Sequence, residues 1–343
     1  MNFQSVKKII FFIFKLALAL GIVWYLLFRD TGLLLEGLRD FDVRYLGLAA
    51  LFYAAHLAVC AWRWQRLADI LGITLGKFES FNLTMQGVFF SLVIPGGAVG
   101  GDVVKMAVLT KRTPNGRRME GAFTVLMDRI IGMIALFALV LVIIPFAWQL
   151  LMNCSVPNIV LSGGTKKLLI LLAALLSVAG LAASCVIFMH KIIHKVKFFD
   201  RILKFADRIS NGMVSRMEQA ADVYSKEKFE LVFLTAASVA GVHLLAVLPM
   251  MFLLSGLGVE YDIFPVVVAV VLGNVAGLIP IFPSGLGGRD LVTVTVLVAG
   301  GIAHGDAKAA QLLCTALITI FNLCGGLFFI FDSGRKRAAV PQE

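Results

Sequence analysis

Apolar runs of about twenty residues, separated by short charged stretches, organise this 343-residue chain. A helix rises about 1.5 Å per residue, so roughly 20 apolar residues cross the hydrocarbon core of a bilayer. Runs of that order extend from Ile9 to Phe28, Tyr45 to Trp62, Ala122 to Ala147, Leu168 to Met189, Leu231 to Leu254 and Ala309 to Phe331. They predict six transmembrane helices. The first follows Lys7 and Lys8 in the manner of a signal peptide. It is too long for a cleaved leader and lacks a small-residue cleavage site, which predicts a signal anchor and first span.

Two further apolar regions, Phe81 to Thr110 and Phe264 to Ala303, are each interrupted by a glycine-rich word. The first word runs from Pro95 to Asp102, with Gly96, Gly97, Gly100 and Gly101. The second runs from Pro283 to Asp290, with Gly285, Gly287, Gly288 and Arg289, and the two prolines stand 188 positions apart (95 and 283). Phe81 to Ile94 has 14 residues and Val103 to Thr110 has 8, both short of a crossing. Each region is therefore predicted to be a re-entrant helical hairpin.

Flanking charge sets their direction. Arg63, Arg66 and Lys77 precede the first hairpin, and Lys111, Arg112, Arg117 and Arg118 follow it, which places both flanks in the cytoplasm. Glu260 and Asp262 precede the second and only His304, Asp306 and Lys308 follow it, which suggests the outer face. Arg335, Lys336 and Arg337 follow the last span, and both termini are expected inside. Each half then reads span, span, hairpin, span. Three crossings per unit make residues 1–147 and 168–332 an inverted repeat, an architecture of many transporters. Gln86 and Asn274 match at the same offset, and His56-Leu57 matches His243-Leu244 one position short of it. Between the halves, Phe198, Ile202, Phe205, Ile209 and Met213 recur at steps of three and four. Asp200, Arg201, Lys204, Asp207 and Arg208 lie opposite, predicting an amphipathic cytoplasmic helix at 197–224 that either lies on the membrane surface or packs on the ends of the spans.

Composition narrows the possibilities. With 59% hydrophobic and 15% charged residues and a mean hydropathy of +0.92, the chain is an all-α integral membrane protein, and any chemistry sits in its membrane part. The net charge of +10 reflects basic residues at span ends, which argues against nucleic acid as a partner. Cys60, Cys154, Cys185, Cys314 and Cys324 are scattered without metal-ligand spacing, so neither a disulfide, a metal nor another cofactor is inferred.

Ionisable residues in apolar sequence are costly and mark functional sites. Each glycine word is expected to open a half-helix near Asp102 or Asp290, whose free amides suit a phosphate or carboxylate. An equally simple role for the aspartates is to cap those helices, with the glycines allowing tight crossings. Lys105 lies one turn after Asp102, Arg289 adjoins Asp290, and Asp128-Arg129 falls inside the following span. The candidate substrate-binding set is Gly97, Gly100, Gly101, Asp102, Lys105, Asp128, Arg129, Gly285, Gly288, Arg289 and Asp290. Lys105, Arg129 and Arg289 are candidates to contact phosphate, with the aspartates orienting them or exchanging protons. His56 and His243 are weaker candidates for a proton relay. Arg63-Trp64, with Trp62 and Arg66, is expected to be an interfacial belt at the end of the second span. Neither glycine word continues into the Lys-Ser/Thr of a P-loop.

Arg63-Trp64, the word from Pro95 to Asp102 with Lys105, Asp128-Arg129 with Gly132, and the word from Pro283 to Asp290 together resemble the flippase-like transmembrane domain of lysylphosphatidylglycerol synthases of the multiple peptide resistance factor type, in its stand-alone form. The resemblance covers most of the chain. It implies movement of an anionic phospholipid or lipid-linked headgroup between the leaflets of the inner (plasma) membrane. In the synthases this domain is joined to a soluble aminoacyl-transferase domain. Here the sequence ends at Glu343, so synthase activity is not expected, and a separate lipid-modifying enzyme is a conceivable partner. The last span often carries an arginine in this family where Cys314-Thr315 stands here, which leaves Arg129 without a symmetric counterpart. The alternative function is an integral membrane transferase acting on a lipid headgroup, with Asp102 or Asp290 as general base.

Overall fold

The computed structural model of the chain describes residues 41–94, 98–113, 117–155, 162–186, 188, 201, 205, 207–210, 212–278 and 287–338. The predicted first span at 9–28 lies outside them, as do Pro95 to Gly97, Pro283 to Leu286, Phe198, Asp200, Ile202 and Lys204. Among the described residues the fold is entirely helical. In order the principal helices are α1 (Val43–Ile70), α2 (Lys77–Val93), α3 (Ala98–Arg112), α4 (Arg118–Asn153) and α5 (Gly163–Val186). They are followed by α6 (Met213–Lys226), α7 (Lys228–Gly256), α8 (Ile263–Gly277), α9 (Gly288–Ala299) and α10 (His304–Ala338).

Five of these, α1, α4, α5, α7 and α10, are long and apolar enough to cross a membrane. They coincide with the five predicted spans that the described residues include. α1 starts where the Asp42 carboxylate accepts the backbone N–H of Arg44 at 2.9 Å, satisfying an amide that the helix leaves without a partner. It stops where the chain turns back at Leu71 and Gly72, and the N–H of Ile73 reaches Ala68 O at 3.0 Å. α4 has 36 residues with Pro145 inside it and is about 54 Å long, well beyond a hydrocarbon core of about 30 Å.

The outside of the bundle is greasy and its inside is polar. Phe146, Leu175, Phe229 and Phe331 are exposed, whereas Arg63, Gln86, Lys105, His243 and Gln311 are buried. In water this distribution would be ruinous; in lipid, exposed apolar side chains cost nothing and polar groups find partners inside. The arrangement is that of an integral membrane protein.

Both interrupted regions form helical hairpins, α2 with α3 and α8 with α9. Their packing is reciprocal. α2 lies against α10 while α8 lies against α4; α3 lies against α4 while α9 lies against α10; and α1 and α7 pack together. The first hairpin closes tightly because a Cβ on Gly101 would lie 2.1 Å from Gly87 O, so two backbones meet where only glycine fits.

α7 is not a uniform α-helix. Val239–Leu244 winds as a π-helix, with the N–H of Leu245 reaching five residues back to Ala240 O at 2.9 Å. Pro249 follows within the same helix and has no N–H to donate. Such loosened turns free carbonyls for side chains and recur at functional sites.

Within the stretch 197–224, α6 begins only at Met213. It buries Ala220, Ala221 and Tyr224, and the Tyr224 hydroxyl donates to Leu67 O at 2.8 Å. This part packs on α4 and on the end of α1, while Phe205 and Ile209, nearer its start, are exposed.

Candidate functional site

One face of α1 carries Tyr53, His56, Cys60 and Arg63, at the three- and four-residue steps that align side chains along a helix. Arg63 is only 6% exposed and Trp64 is fully buried. The expected interfacial belt is therefore overturned at both positions. Both lie too deep to snorkel, and the guanidinium is held by protein groups instead of water: Nε donates to Asp128 at 2.8 Å and Nη1 to the Ser238 hydroxyl at 3.0 Å. Gly132 makes the space for it, since a Cβ there would sit 3.1 Å from Arg63 Nη1. Arg66, three residues on, is the exposed member and pairs with Glu230.

Asp128 and Arg129 are neighbours on α4, about 100° apart around the helix, and they serve different partners. Asp128 is shared, with Arg63 on one oxygen and Lys105 Nζ at 3.7 Å from the other. Lys105 also lies 3.6 Å over the Trp64 ring, a cation–π contact that holds its charge in a nearly dry place. The Trp64 indole is fixed in turn by donating to the Thr124 hydroxyl at 3.1 Å. Arg129 turns to α3 and grips one oxygen of Asp102 with Nε and Nη2, at 2.8 and 2.5 Å. The expectation that a helix opens near Asp102 is corrected here: α3 starts at Ala98, so Asp102 lies a full turn inside it. An N-cap position is excluded by that register.

Asp290 behaves differently. It occupies the first turn of α9, and its Oδ2 accepts the backbone N–H of Gly287 at 3.1 Å, reaching back to the helix entrance. Gly287 holds φ +85°, a conformation that favours glycine and sets the chain's entry into the helix. The other oxygen of Asp290 accepts from Gln311 at 2.7 Å and Thr315 at 3.0 Å, both on α10. Arg289 Nε lies 3.5 Å from Asp290 and Nη2 donates to the Thr315 hydroxyl at 3.3 Å. Nε is buried without a hydrogen-bond partner.

Two chambers run between these groups. The first, about 280 Å³, is lined by Arg63, Lys105, Arg129, Asp102 and Asp128, together with Thr84 and Ser91 of the first hairpin. Three bases face two acids, which leaves one net positive charge in the wall. The second, about 250 Å³, is lined by Arg289, Asn274, Thr293 and Gln311. Tyr53, His56, Leu136, Val242, His243 and Leu278 line both and form the partition between them. Each histidine is tied to a carbonyl of another helix: His56 Nδ1 to Val242 O at 2.9 Å and His243 Nε2 to Gly132 O at 3.0 Å.

The structure thus gathers Asp102, Lys105, Asp128 and Arg129 around one chamber and sets Arg289 at the other. Gly100, Gly101, Gly288 and Asp290 are not among the residues lining either chamber. A Cβ on Gly100 would meet Ile94, as one on Gly101 would meet Gly87, so these two pack the hairpin. Gly97 and Gly285 lie outside the described residues. Arg63 and Tyr53 are site residues that span-end reasoning missed. The signal available was the polar face of α1, Tyr53, His56, Cys60 and Arg63 in register.

Two relatives match most of the chain in sequence. A UPF0104 membrane protein of Pyrococcus horikoshii is 22% identical over 335 residues, covering 94% of this chain and 97% of the relative. A second UPF0104 membrane protein, from Methanothermobacter thermautotrophicus, is 23% identical over 299 residues, covering 84% and 85%. No solved structure matches the chain. The family model described as the lysylphosphatidylglycerol synthase TM region matches residues 12–326, and the chain belongs to that family.

Proposed function

We propose that the protein moves an anionic phospholipid or lipid-linked headgroup between the leaflets of the inner membrane. The headgroup enters the chambers between the two hairpins, and the acyl chains stay in surrounding lipid. The observation that carries this is the wall of the first chamber, where three bases, two of them buried, outnumber two acids inside a bundle whose exterior is apolar. Buried charge is costly and seldom retained for stability alone. A wall with excess positive charge, already held in place by aspartates, is a receptor for an anion. Its volume equals that of about nine waters, enough for a phosphate bearing a small alcohol. The family's description concerns a lipid synthase's membrane region, which supports a lipid as the substrate class.

The reciprocal packing of the hairpins supports an inverted repeat whose two hairpins enter from opposite sides and exchange access to the chambers. Single cysteines at Lys111 and Glu260 are then expected to react with impermeant reagents from opposite faces of the membrane, the Lys111 site from the cytoplasm. Labelling from one side would overturn the inverted arrangement.

The decisive experiment joins two measurements on the purified protein. Native mass spectrometry is expected to find a retained anionic lipid, and proteoliposomes are expected to transfer fluorescent phosphatidylglycerol between leaflets. Absence of both retention and transfer across a range of anionic lipids removes the transport function. Chemical conversion of the headgroup by the protein alone would instead establish a transferase.

A further inference from the structure

The partition between the chambers is built from groups that take no part in the ion pairs of the first chamber. Tyr53 and His56 stack with ring centroids 5.6 Å apart, and His243 stands with them on the wall common to both chambers. Each imidazole is anchored by a bond to a backbone carbonyl, Val242 O for His56 and Gly132 O for His243. A carbonyl only accepts, so the bonded nitrogen carries a hydrogen in either charge state. The second nitrogen is left to gain or lose a proton. In His56 it is Nε2, which lies 3.9 Å from the Cys60 thiol. Protonation therefore need not break the anchor.

The other titratable groups on the walls are less suited to carrying a proton. On α1 these are Tyr53, Cys60 and Arg63, and on α3 they are Asp102 and Lys105. α4 presents Asp128 and Arg129, the π-helical segment of α7 presents His243, α9 presents Arg289, and α10 presents Cys314. Both wall carboxylates are committed to bases, Asp102 to Arg129 and Asp128 to Arg63 and Lys105. Thiols and phenols ordinarily titrate near about 8.5 and 10, whereas imidazole titrates at roughly pH 5 to 8. The carbonyl that holds His56 belongs to the π-helical turn, so a change of charge on that ring bears on a segment whose winding is already irregular.

We propose that His56, flanked by His243 in the partition, is the proton-binding site that couples movement of the anionic headgroup to a proton gradient. This rests on the transport function proposed above. A proton from the acidic side adds to His56 Nε2, and the imidazolium draws the phosphate from one chamber towards the other. The proton leaves on the far side, and the neutral ring returns. One proton accompanies one singly charged headgroup, so the cycle carries no net charge.

The test uses the whole protein in phosphatidylcholine vesicles containing a small share of acyl-labelled phosphatidylglycerol, with leaflet distribution read by an impermeant quencher. In a gradient of one pH unit the label is expected to accumulate in the leaflet facing the higher pH, with a ratio approaching about tenfold for one proton per lipid. Clamping the membrane potential is expected to leave that ratio unchanged. His56→Asn, whose amide preserves a donor for Val242 O, is expected to show no accumulation of the label in the same gradient. If its thermal melt shows that this variant does not fold, His56→Gln takes its place. Wild-type protein that moves the lipid without responding to the gradient overturns proton coupling and leaves the transport function standing. A folded His56 variant that keeps the full response overturns the assignment to His56. Wild-type protein that moves no lipid overturns both.

Discussion

The two hairpins share a glycine word and a terminal aspartate, yet they use them differently. In the first, α3 begins four residues before Asp102, the glycine pair faces Gly87 and Ile94, and the aspartate turns to Arg129. In the second, α9 begins two residues before Asp290, and the aspartate caps the helix entrance and holds α10 through Gln311 and Thr315. A shift of half a turn in the helix start separates an ion-pairing residue from a capping one. The first half became the charged chamber, and the second became a mostly uncharged frame around one arginine and its neighbouring aspartate. Matching sequence words therefore mark matching places in the fold without assigning matching chemistry.

Removing an aspartate from each half, Asp128 and Asp290, tests the difference between the charged chamber and the second half most strongly. Asp128→Asn leaves Arg63 and Lys105 buried without their shared carboxylate, and breaking a buried pair in this way costs about 3–5 kcal/mol. Asp290→Asn removes a cap, worth about 0.5–2 kcal/mol, and the carboxylate 3.5 Å from Arg289, in a pair more exposed than those of Asp128. Thermal melts in detergent are expected to show a much larger fall for Asp128→Asn. Equal falls would mean that the second half relies on its charge as much as the first.

Lys105→Met separates binding from folding. Asp128 keeps Arg63, and methionine still packs on Trp64, so the melting temperature should change little. Retention of anionic lipid by native mass spectrometry should fall roughly 10- to 100-fold, the value of a lost hydrogen bond to a charged group. Arg289→Met should have a smaller effect on retention, because the second chamber has fewer charges to attract an anion. A larger effect at Arg289 would move the principal anion site to the second chamber.

Backbone contact gives a third contrast. Gly101→Ala drives a Cβ against Gly87 O at 2.1 Å and should destabilise by about 1–3 kcal/mol. Gly288→Ala meets Ala276 O at 3.6 Å, an ordinary contact, and should be tolerated within about 0.5 kcal/mol. The measurement is the same melt, with transport assayed on whichever variants fold.

Much of this fold was legible in the chain because lipid imposes simple rules. Apolar run length located α1, α4, α5, α7 and α10, and the interruptions located both hairpins, since neither depends on knowing a partner. Lys105, Asp128 and Arg129 stood out because a charge within apolar sequence needs a reason. Arg63 did not. Set between two tryptophans at the end of an apolar run, it matched a snorkelling anchor, and only its distant contacts with Asp128 and Ser238 reveal that it points inward. Helix register was equally hidden: the word from Pro95 to Asp102 does not say whether α3 opens at Ala98 or nearer Asp102. The double chamber arises where α1, α4 and α7 converge, a tertiary fact with no local signature.

A last, small effect concerns Thr315, on the helix that lacks an arginine counterpart to Arg129. Its hydroxyl donates to Asp290 at 3.0 Å and accepts from Arg289 at 3.3 Å, bridging two groups that a basic residue would have set in competition. Thr315→Val keeps the shape and removes the bridge. Gln311 still donates to Asp290 at 2.7 Å, but Arg289 Nη2 loses its acceptor, so the loss should be about 1–3 kcal/mol. Retention of lipid should be nearly unchanged if Thr315 belongs only to the frame. A pronounced loss of retention with an intact melt would show that Thr315 holds Arg289 in its anion-binding position, and would give the second half a share of the chemistry that its missing arginine had appeared to remove.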